Sequence, residues 1–334
     1  VPHRRQRQMC IRDSFRREYN VKRWLSEYDF KAVQNGEVIL TEMNNDRPVG
    51  MNGLVMNTRR DIFNNRNVRL ALSYAYDHEW INKTIYQNAY VRTDSYFDNS
   101  PLASSGLPSK NELELLNVWK DEIPAEVFTE TFTPPITDGS GNDRKNLLKA
   151  KEILEKEGWF VEDGKLVKDG KEFKFEFLIV SPSDEKIALA YQSNLKKLGI
   201  TMDVRTVDSS QYQERLLSYD FDMIKRYWGV SLSPGNEQQF YWGSEVGQKD
   251  GSRNYPGINS PAVDALIEKL ISATNREELT TAIHALDRVL LWGHYVVPLY
   301  HSNKDRIAYW DFFEYPDEIP VSYTHLTLPT MWYV

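Results

Sequence analysis

Hydrophobic residues recur along the chain at two alternating spacings, one typical of strands and the other of helices. Phe173, Phe175 and Phe177 are separated by charged residues, and this period of two predicts a half-buried strand. The segment 146–157 instead places its apolar residues three or four positions apart, which predicts an amphipathic helix that ends before Gly158. Because both spacings occur repeatedly, we expect an α/β protein.

The order of these elements predicts the kind of sheet. Strands are expected at 173–177, 200–207 and 221–228, with helices at 184–198 and 209–218 between them. A β-α-β-α-β order favours a mostly parallel sheet that is covered by helices. Further predicted elements are a strand at 53–58, two helices between 68 and 85, two helices at 261–272 and 276–292, and a strand at 296–300.

Turn-forming residues divide these elements. Asp163-Gly164 and Asp169-Gly170 predict two tight hairpin turns, because glycine tolerates the positive φ that such turns require. Residues 94–143 are rich in Pro, Ser and Gly and are predicted to form long loops with little regular structure.

The two ends of the chain are related as antisense sequences. Codons can be chosen so that the reverse complement of the first residues spells the last ones in register, as when GAC for Asp13 returns GTC for Val321. Natural inverted repeats flanking a gene are the alternative explanation. We predict that residues 1–14 and 321–334 derive from a sequencing adapter, and that residues 15–320 belong to the natural protein.

Leaving out those ends changes the charge and the cysteine count. They hold four arginines, one aspartate and the single cysteine of the chain, so the net charge falls from −7 to −10. A segment without cysteine excludes disulfide frameworks, Cys-ligated metals and Cys nucleophiles. The acidic balance argues against a nucleic-acid partner. Aromatic residues make up 13% of the chain, which indicates either a cleft lined by Tyr and Trp or a bulky core.

Several segments, taken in order, resemble one protein family. The helix segment NVRLALSYAYD at 67–77 is similar to a helix of the family 5 extracellular solute-binding proteins, which are receptors of peptide ABC importers. Further similar segments follow in the family's order at 148–159, 219–223, 259–267 and 298–300. Within the family, the segments most similar to the YejA-type oligopeptide and microcin C receptors are DSYF at 94–97, SSGLPS at 104–109 and DGSG at 138–141.

The resemblance implies a two-lobed α/β fold like that of the class II periplasmic binding proteins. Members of the family are nearly twice as long as this chain, so we expect a fragment with most of the C-terminal lobe and half of the ligand cleft. Residues 15–50 are expected to be a remnant of the first lobe with the crossing. Residues 51–298 are expected to form the second lobe, and 299–320 the return segment.

The resemblance also implies a function. The full-length protein is expected to be a monomeric, non-enzymatic periplasmic receptor that closes on an oligopeptide and delivers it to a membrane ABC permease. No cofactor, metal or nucleic acid is expected. One alternative is an oligosaccharide stacked on Trp228 and Trp242. A hydrolase is less favoured, because the sequence shows neither paired carboxylates nor a nucleophile motif.

The candidate ligand segment is the end of the strand 221–228 and the loop after it, because ligands in open α/β sheets bind outside the carboxyl ends of strands. Gly229 would admit a peptide backbone, and Tyr227 or Trp228 would form a wall for a side chain. Alternatively, Tyr227 and Trp228 simply complete a hydrophobic strand. The expected ligand-binding residues are Arg226, Tyr227, Trp228, Gly229, Ser231, Asn236 and Trp242.

One departure from the family pattern bears on the ligand. Peptide-binding members commonly have an aspartate just after the Trp of this strand, where it pairs with the ammonium group of the ligand. Here the matching positions are Gly229, Val230 and Ser231. We therefore predict that the ligand is a peptide whose N-terminus is blocked or deeply placed, such as a formylated one, unless Asp220 or Asp222 replaces the missing carboxylate.

Overall fold

A computed structural model of the protein describes residues 16–313, so the two predicted adapter-derived ends lie outside the described residues. The strands are β1 Arg16–Arg17, β2 Val38–Asn44, β3 Asn52–Met56, β4 Val91–Arg92, β5 Phe160–Glu162, β6 Lys165–Lys168, β7 Lys171–Glu172, β8 Lys174–Ile179, β9 Thr201–Thr206, β10 Met223–Tyr227, β11 Val296–Pro298, β12 Tyr300–His301 and β13 Lys304–Trp310. The helices are α1 Val21–Glu27, α2 Lys31–Gln34, α3 Asp61–Asn64, α4 Arg66–Tyr74, α5 His78–Tyr86, α6 Lys110–Leu116, α7 Glu126–Thr129, α8 Arg144–Lys156, α9 Pro182–Lys197, α10 Ser209–Leu217, α11 Glu237–Trp242, α12 Ser244–Gly247, α13 Pro261–Ile271 and α14 Arg276–Trp292.

The described residues form two compact units. One unit contains residues 16–47 and 302–313, and the other spans Pro48–His301. The divisions lie close to the predicted boundaries at 50/51 and 298/299. That these units correspond to the two lobes of a longer protein stays a prediction.

The smaller unit is built on a three-stranded antiparallel sheet. β13 lies at its centre, between β1 and β2. The carboxylate of Asp305 on β13 is buried and accepts hydrogen bonds from the guanidinium groups of Arg17 and Arg47. This shared acceptor ties β1 and the segment after β2 to the central strand.

The larger unit contains a five-stranded sheet in the order β11-β3-β10-β8-β9. β8 is parallel to both β9 and β10, whereas β3 is antiparallel to β10 and β11. Four strands therefore share one direction. The expectation of a mostly parallel sheet is met, with β3 as the exception.

Helices cover both faces of this sheet. Successive residues of a strand point to opposite sides, so neighbouring residues of β3 are buried in different clusters. Leu54 and Met56 of β3 are buried in one hydrophobic cluster, which includes residues from α4, α8 and α9. Val55 between them is buried in a second cluster, which includes residues from α13 and α14. The larger unit thus has helix, sheet and helix layers.

Local sequence signals fix several boundaries as predicted. The Asp163-Gly164 and Asp169-Gly170 turns join β5 to β6 and β6 to β7, and all four residues have positive φ. Gly158 follows α8 with φ of 85°. Asp143 caps the start of α8, and its carboxylate accepts a hydrogen bond from the Asn146 backbone N–H at 3.0 Å.

The prediction of little regular structure at 94–143 is wrong in part. Two helices, α6 and α7, form there, and a 3₁₀ turn spans Asn117–Trp119. The α6 helix begins with a capping box in which Ser109 and Glu112 each accept the backbone N–H of the other. This local signal was present in the sequence but was outweighed by the Pro and Ser content of the segment.

Candidate functional site

An open groove of about 400 Å³ lies in the larger unit at the carboxyl ends of β8 and β10. In open α/β sheets this is the edge where ligands bind. The lining comes from three strands and two helices. The polar and aromatic residues that line it are Asn52, Asp184, Tyr212, Lys225, Arg226 and Tyr227.

β10 extends past the end of its pairing with β8. Met223 and Ile224 pair with Phe177 and Leu178, whereas residues 225–227 pair only with β3 on the other side. One backbone edge of β10 therefore borders the groove without a strand partner in the described structure. An extended peptide that adds to a sheet uses the N–H and C=O groups of such an edge.

Lys225 and Asp184 form an ion pair in the groove. The Lys225 Nζ atom lies 2.6 Å from Asp184 Oδ1, and the two side chains are 24% and 15% exposed. Asp184 is in the first turn of α9. Because the charges are in contact and largely shielded from water, each cancels most of the field of the other.

Arg226 is held by tyrosines instead of a carboxylate. Its Nη2 donates a hydrogen bond to Tyr255 Oη at 2.9 Å. Its guanidinium carbon also lies 4.7 Å from the ring centre of Tyr255 and 6.0 Å from that of Tyr212. Burial raises the pKa of the Tyr212 hydroxyl, while the Arg226 charge acts to lower that pKa.

The structure corrects the expected role of Trp228 and Trp242. The two side chains are 1% and 2% exposed, and their ring centres lie 4.8 Å apart in the core. Their indole N–H groups donate to the Arg253 carbonyl and to Gln238 Oε1. No ring face is left for a ligand, because alternation along β10 turns Trp228 inward where Tyr227 points outward.

The remaining predicted residues are exposed, but only some line the groove. Tyr227 lies in the lining and is 55% exposed. Gly229, Ser231 and Asn236 lie in the exposed loop beyond β10 and are not among the lining residues. A Cβ atom at Gly229 would meet only the Tyr227 ring, at 3.7 Å, so the fold itself does not require glycine there. Ligand contacts by these residues stay a prediction.

The suggestion that Asp220 or Asp222 replaces the missing carboxylate is wrong. Both precede β10 and so lie at the amino end of the strand, whereas the groove is at the carboxyl end. Asp220 pairs with Arg60 and Arg215, and Asp222 also contacts Arg60 at 3.1 Å. These carboxylates form ion pairs at the opposite edge of the sheet.

Sequence reasoning missed Asp184, Tyr212 and Tyr255. Asp184 follows the carboxyl end of β8, so the rule that selected the end of β10 applied to it equally. Tyr212 lies in a helix and Tyr255 in a loop, and neither carries a local signal of its nearness to Arg226. Those contacts are non-local and become visible only in the folded chain.

The histidines serve separate local contacts. His284 lies 3.7 Å from Glu112, and His301 lies 3.5 Å from Asp98. Burial, together with the charges of Arg66 and Arg69, lowers the pKa of His294 to about 3. Within residues 16–313, no group of three or more His, Cys, Asp or Glu side chains is arranged to hold a metal ion.

The fold and the groove together define a class of protein, a solute-binding α/β domain. Comparison by sequence then gives the family. The profile of the bacterial extracellular solute-binding proteins, family 5, matches residues 16–250, and the chain belongs to this family.

Two relatives come from Agrobacterium fabrum. The probable peptide-binding protein YejA is 43% identical over 310 residues, which cover 92% of this chain and 50% of the relative. The peptidoglycan-binding protein YepA is 41% identical over 301 residues, covering 90% of this chain and 49% of the relative. The chain thus spans about half the length of the curated relatives it matches.

A solved structure shares the fold. The oligopeptide-binding protein AppA of Bacillus subtilis, in complex with a nonapeptide, superposes with a TM-score of 0.65 at 20% identity. The match covers 88% of this chain and 52% of AppA. Among the described residues, no helix is both long and apolar enough to cross a membrane.

Proposed function

We propose that this chain is part of the substrate-binding component of an ABC importer and that it binds oligopeptides. The backbone edge of β10 beside the groove carries the proposal: it has no strand partner beyond Ile224, and its Lys225 carbonyl accepts only a long hydrogen bond from Tyr212 Oη at 3.5 Å. An extended peptide that pairs with residues 225–227 would gain main-chain hydrogen bonds, which tolerate many sequences. The exposed Tyr227 ring would add a preference for particular side chains.

The relatives support a peptide more than a sugar. One relative is named a peptide-binding protein and another a peptidoglycan-binding protein, and peptidoglycan has both peptide and sugar parts. Sugar rings stack on exposed aromatic faces, but Trp228 and Trp242 are buried. The peptide part is therefore the ligand that the groove favours.

The finer proposal is a ligand without a free ammonium group near β10. The positions after Trp228 carry no carboxylate, and the nearest carboxylate in the groove, Asp184, is already paired with Lys225. A peptide with a formylated N-terminus should bind at least as tightly as the same peptide with a free amine. Tighter binding of the free amine would remove this part of the proposal.

Binding is tested by adding tetra-alanine at millimolar concentration to the isotope-labelled chain and following its backbone amide signals. Peptide binding should shift the signals of residues 225–227 in a saturable way and leave the peptide intact. Tyr227→Ala should weaken the binding. Phe160→Ala is a matched control, since Phe160 is a similarly exposed aromatic residue in another sheet. Unshifted signals at β10, or cleavage of the peptide, would contradict the proposal.

The remaining parts of the proposal concern the longer protein. Closure of two lobes around the ligand, delivery to a membrane permease, a periplasmic location and a monomeric state are all features that we infer from the family. They are tested by expressing the complete gene and identifying by mass spectrometry what co-purifies with the product. Co-purifying sugars without peptides would favour the alternative ligand.

A further inference from the structure

The charges of the groove do not balance. Lys225 is neutralised by its contact with Asp184 at 2.6 Å. Arg226 has no carboxylate within 4.0 Å in the described part of the chain, and its hydrogen-bond partners there are the hydroxyl groups of Tyr255 and Tyr212. The groove therefore carries one positive charge in excess, although the protein as a whole is acidic.

The guanidinium group of Arg226 is also oriented by its contacts with Tyr255. The hydrogen bond to Tyr255 occupies one guanidinium nitrogen, and the Tyr255 ring at 4.7 Å supports the plane of the group. Apart from Tyr255 and Tyr212, Arg226 has no side-chain hydrogen-bond partner in the described structure. A guanidinium group matches a carboxylate through two parallel hydrogen bonds, and its fixed plane reduces the entropy lost on binding.

We propose that Arg226 binds a carboxylate of the bound peptide, so that the substrates are peptides with an anionic group where the ligand passes Tyr227. The inference rests on the proposed peptide-binding function and names the class of peptide. It also agrees with the absence of a carboxylate at residues 229–231, because the groove then attracts an anion and offers nothing to an ammonium group.

A purely structural role for Arg226 is the competing explanation. Its contacts with Tyr212 and Tyr255 would then serve only to join α10 and the 255 loop to β10. The two roles predict different results, since a packing contact does not discriminate between ligand charges. The test therefore compares two ligands that differ only in charge.

The probes are N-acetyl-tetra-alanine with a free carboxylate and the same peptide as its amide. Binding of each to the chain is followed through the amide signals of residues 225–227. The acid should bind about 10-fold tighter than the amide, which is the lower end for a hydrogen-bonded charge pair. In Arg226→Met the two probes should bind equally. Arg205→Met is the control, since Arg205 is exposed on β9 and has its own partner in Glu176.

The outcomes separate the two proposals. Equal binding of acid and amide to the unchanged chain would overturn the role of Arg226 and leave the peptide-binding function standing. A preference that persists in Arg226→Met would do the same. Binding of neither probe would overturn the peptide-binding function itself. Because the first comparison needs no variant, it holds even where Arg226→Met fails to fold, and Tyr255→Phe provides a milder second variant.

Discussion

The Ser95 hydroxyl donates a hydrogen bond to the Asp287 carboxylate at 2.7 Å, which fastens an irregular loop to helix α14. Asp287 is fully buried and accepts three more hydrogen bonds, from the Tyr96 amide and from the amide and hydroxyl of Ser104. Its neighbour Arg288 donates to the carbonyl groups of Ser105 and Gly106. These contacts give a structural role to two segments of the family resemblance, DSYF at 94–97 and SSGLPS at 104–109.

Removing this carboxylate should destabilise the larger unit strongly. In Asp287→Ala four donors lose their acceptor in a buried position, and a buried unsatisfied group costs about 1–3 kcal/mol. We expect the free energy of unfolding in urea to fall by about 3 kcal/mol or more. Asp250→Ala changes an exposed aspartate and is the control. A loss below about 1 kcal/mol would show that the loop is held by other contacts.

Glu112 should make stability depend on pH. Burial acts to raise its pKa, but hydrogen bonds from His284 and Arg288 and the charge of Arg288 outweigh burial and hold the pKa at about 2. A carboxyl group with a lowered pKa stabilises the folded state above its unfolded pKa, and this stabilisation is lost as pH falls through the folded value.

The variant that reveals this effect is Glu112→Gln. At pH 7 its free energy of unfolding should be lower than that of the unchanged chain by on the order of 3 kcal/mol. The difference should shrink as pH falls from about 4.5 towards 2, which urea unfolding at several pH values measures. Glu268→Gln removes an exposed charge and is the matched control. A difference that stays constant with pH would rule out the ion pair as its cause.

Two glycines near Trp228 should respond in opposite ways to alanine. A Cβ atom at Gly50 would lie 1.6 Å from the Trp228 carbonyl oxygen, so backbone would have to move. A Cβ atom at Gly229 would approach only the Tyr227 ring, at 3.7 Å. Gly50→Ala should therefore lower the free energy of unfolding by about 3 kcal/mol, and Gly229→Ala should change it by less than about 1 kcal/mol. Equal losses in thermal or urea unfolding would contradict this account.

The features that sequence predicted well depend on neighbouring residues. The Asp163-Gly164 turn is specified by its own two residues, and the helix ending before Gly158 is specified by its spacing and its stop. The predicted order of strands and helices at 173–228 likewise needs only local patterns and a general rule about connections. The direction of β3 was not predicted, because nothing in residues 52–56 encodes their partner.

The groove was predicted only in part for the same reason. The end of β10 was found by a rule about sheet edges, but that rule does not say which side chains at the edge turn outward. Trp228 was therefore assigned to the ligand, although it packs on Trp242 in the core. The Lys225–Asp184 pair joins residues 41 positions apart, and no local pattern indicates it.

The difference between Tyr227 and Trp228 gives a direct test of this orientation. Trp228→Ala removes a side chain that is 1% exposed and packs on Trp242 and Tyr255, so a large cavity should result. The loss in free energy of unfolding should be about 3–5 kcal/mol. Tyr227→Ala removes a similarly large ring that is 55% exposed and should cost less than about 1 kcal/mol. If urea unfolding gave the reverse order, Trp228 would be the ring that faces the groove, and its assignment to the ligand would be restored.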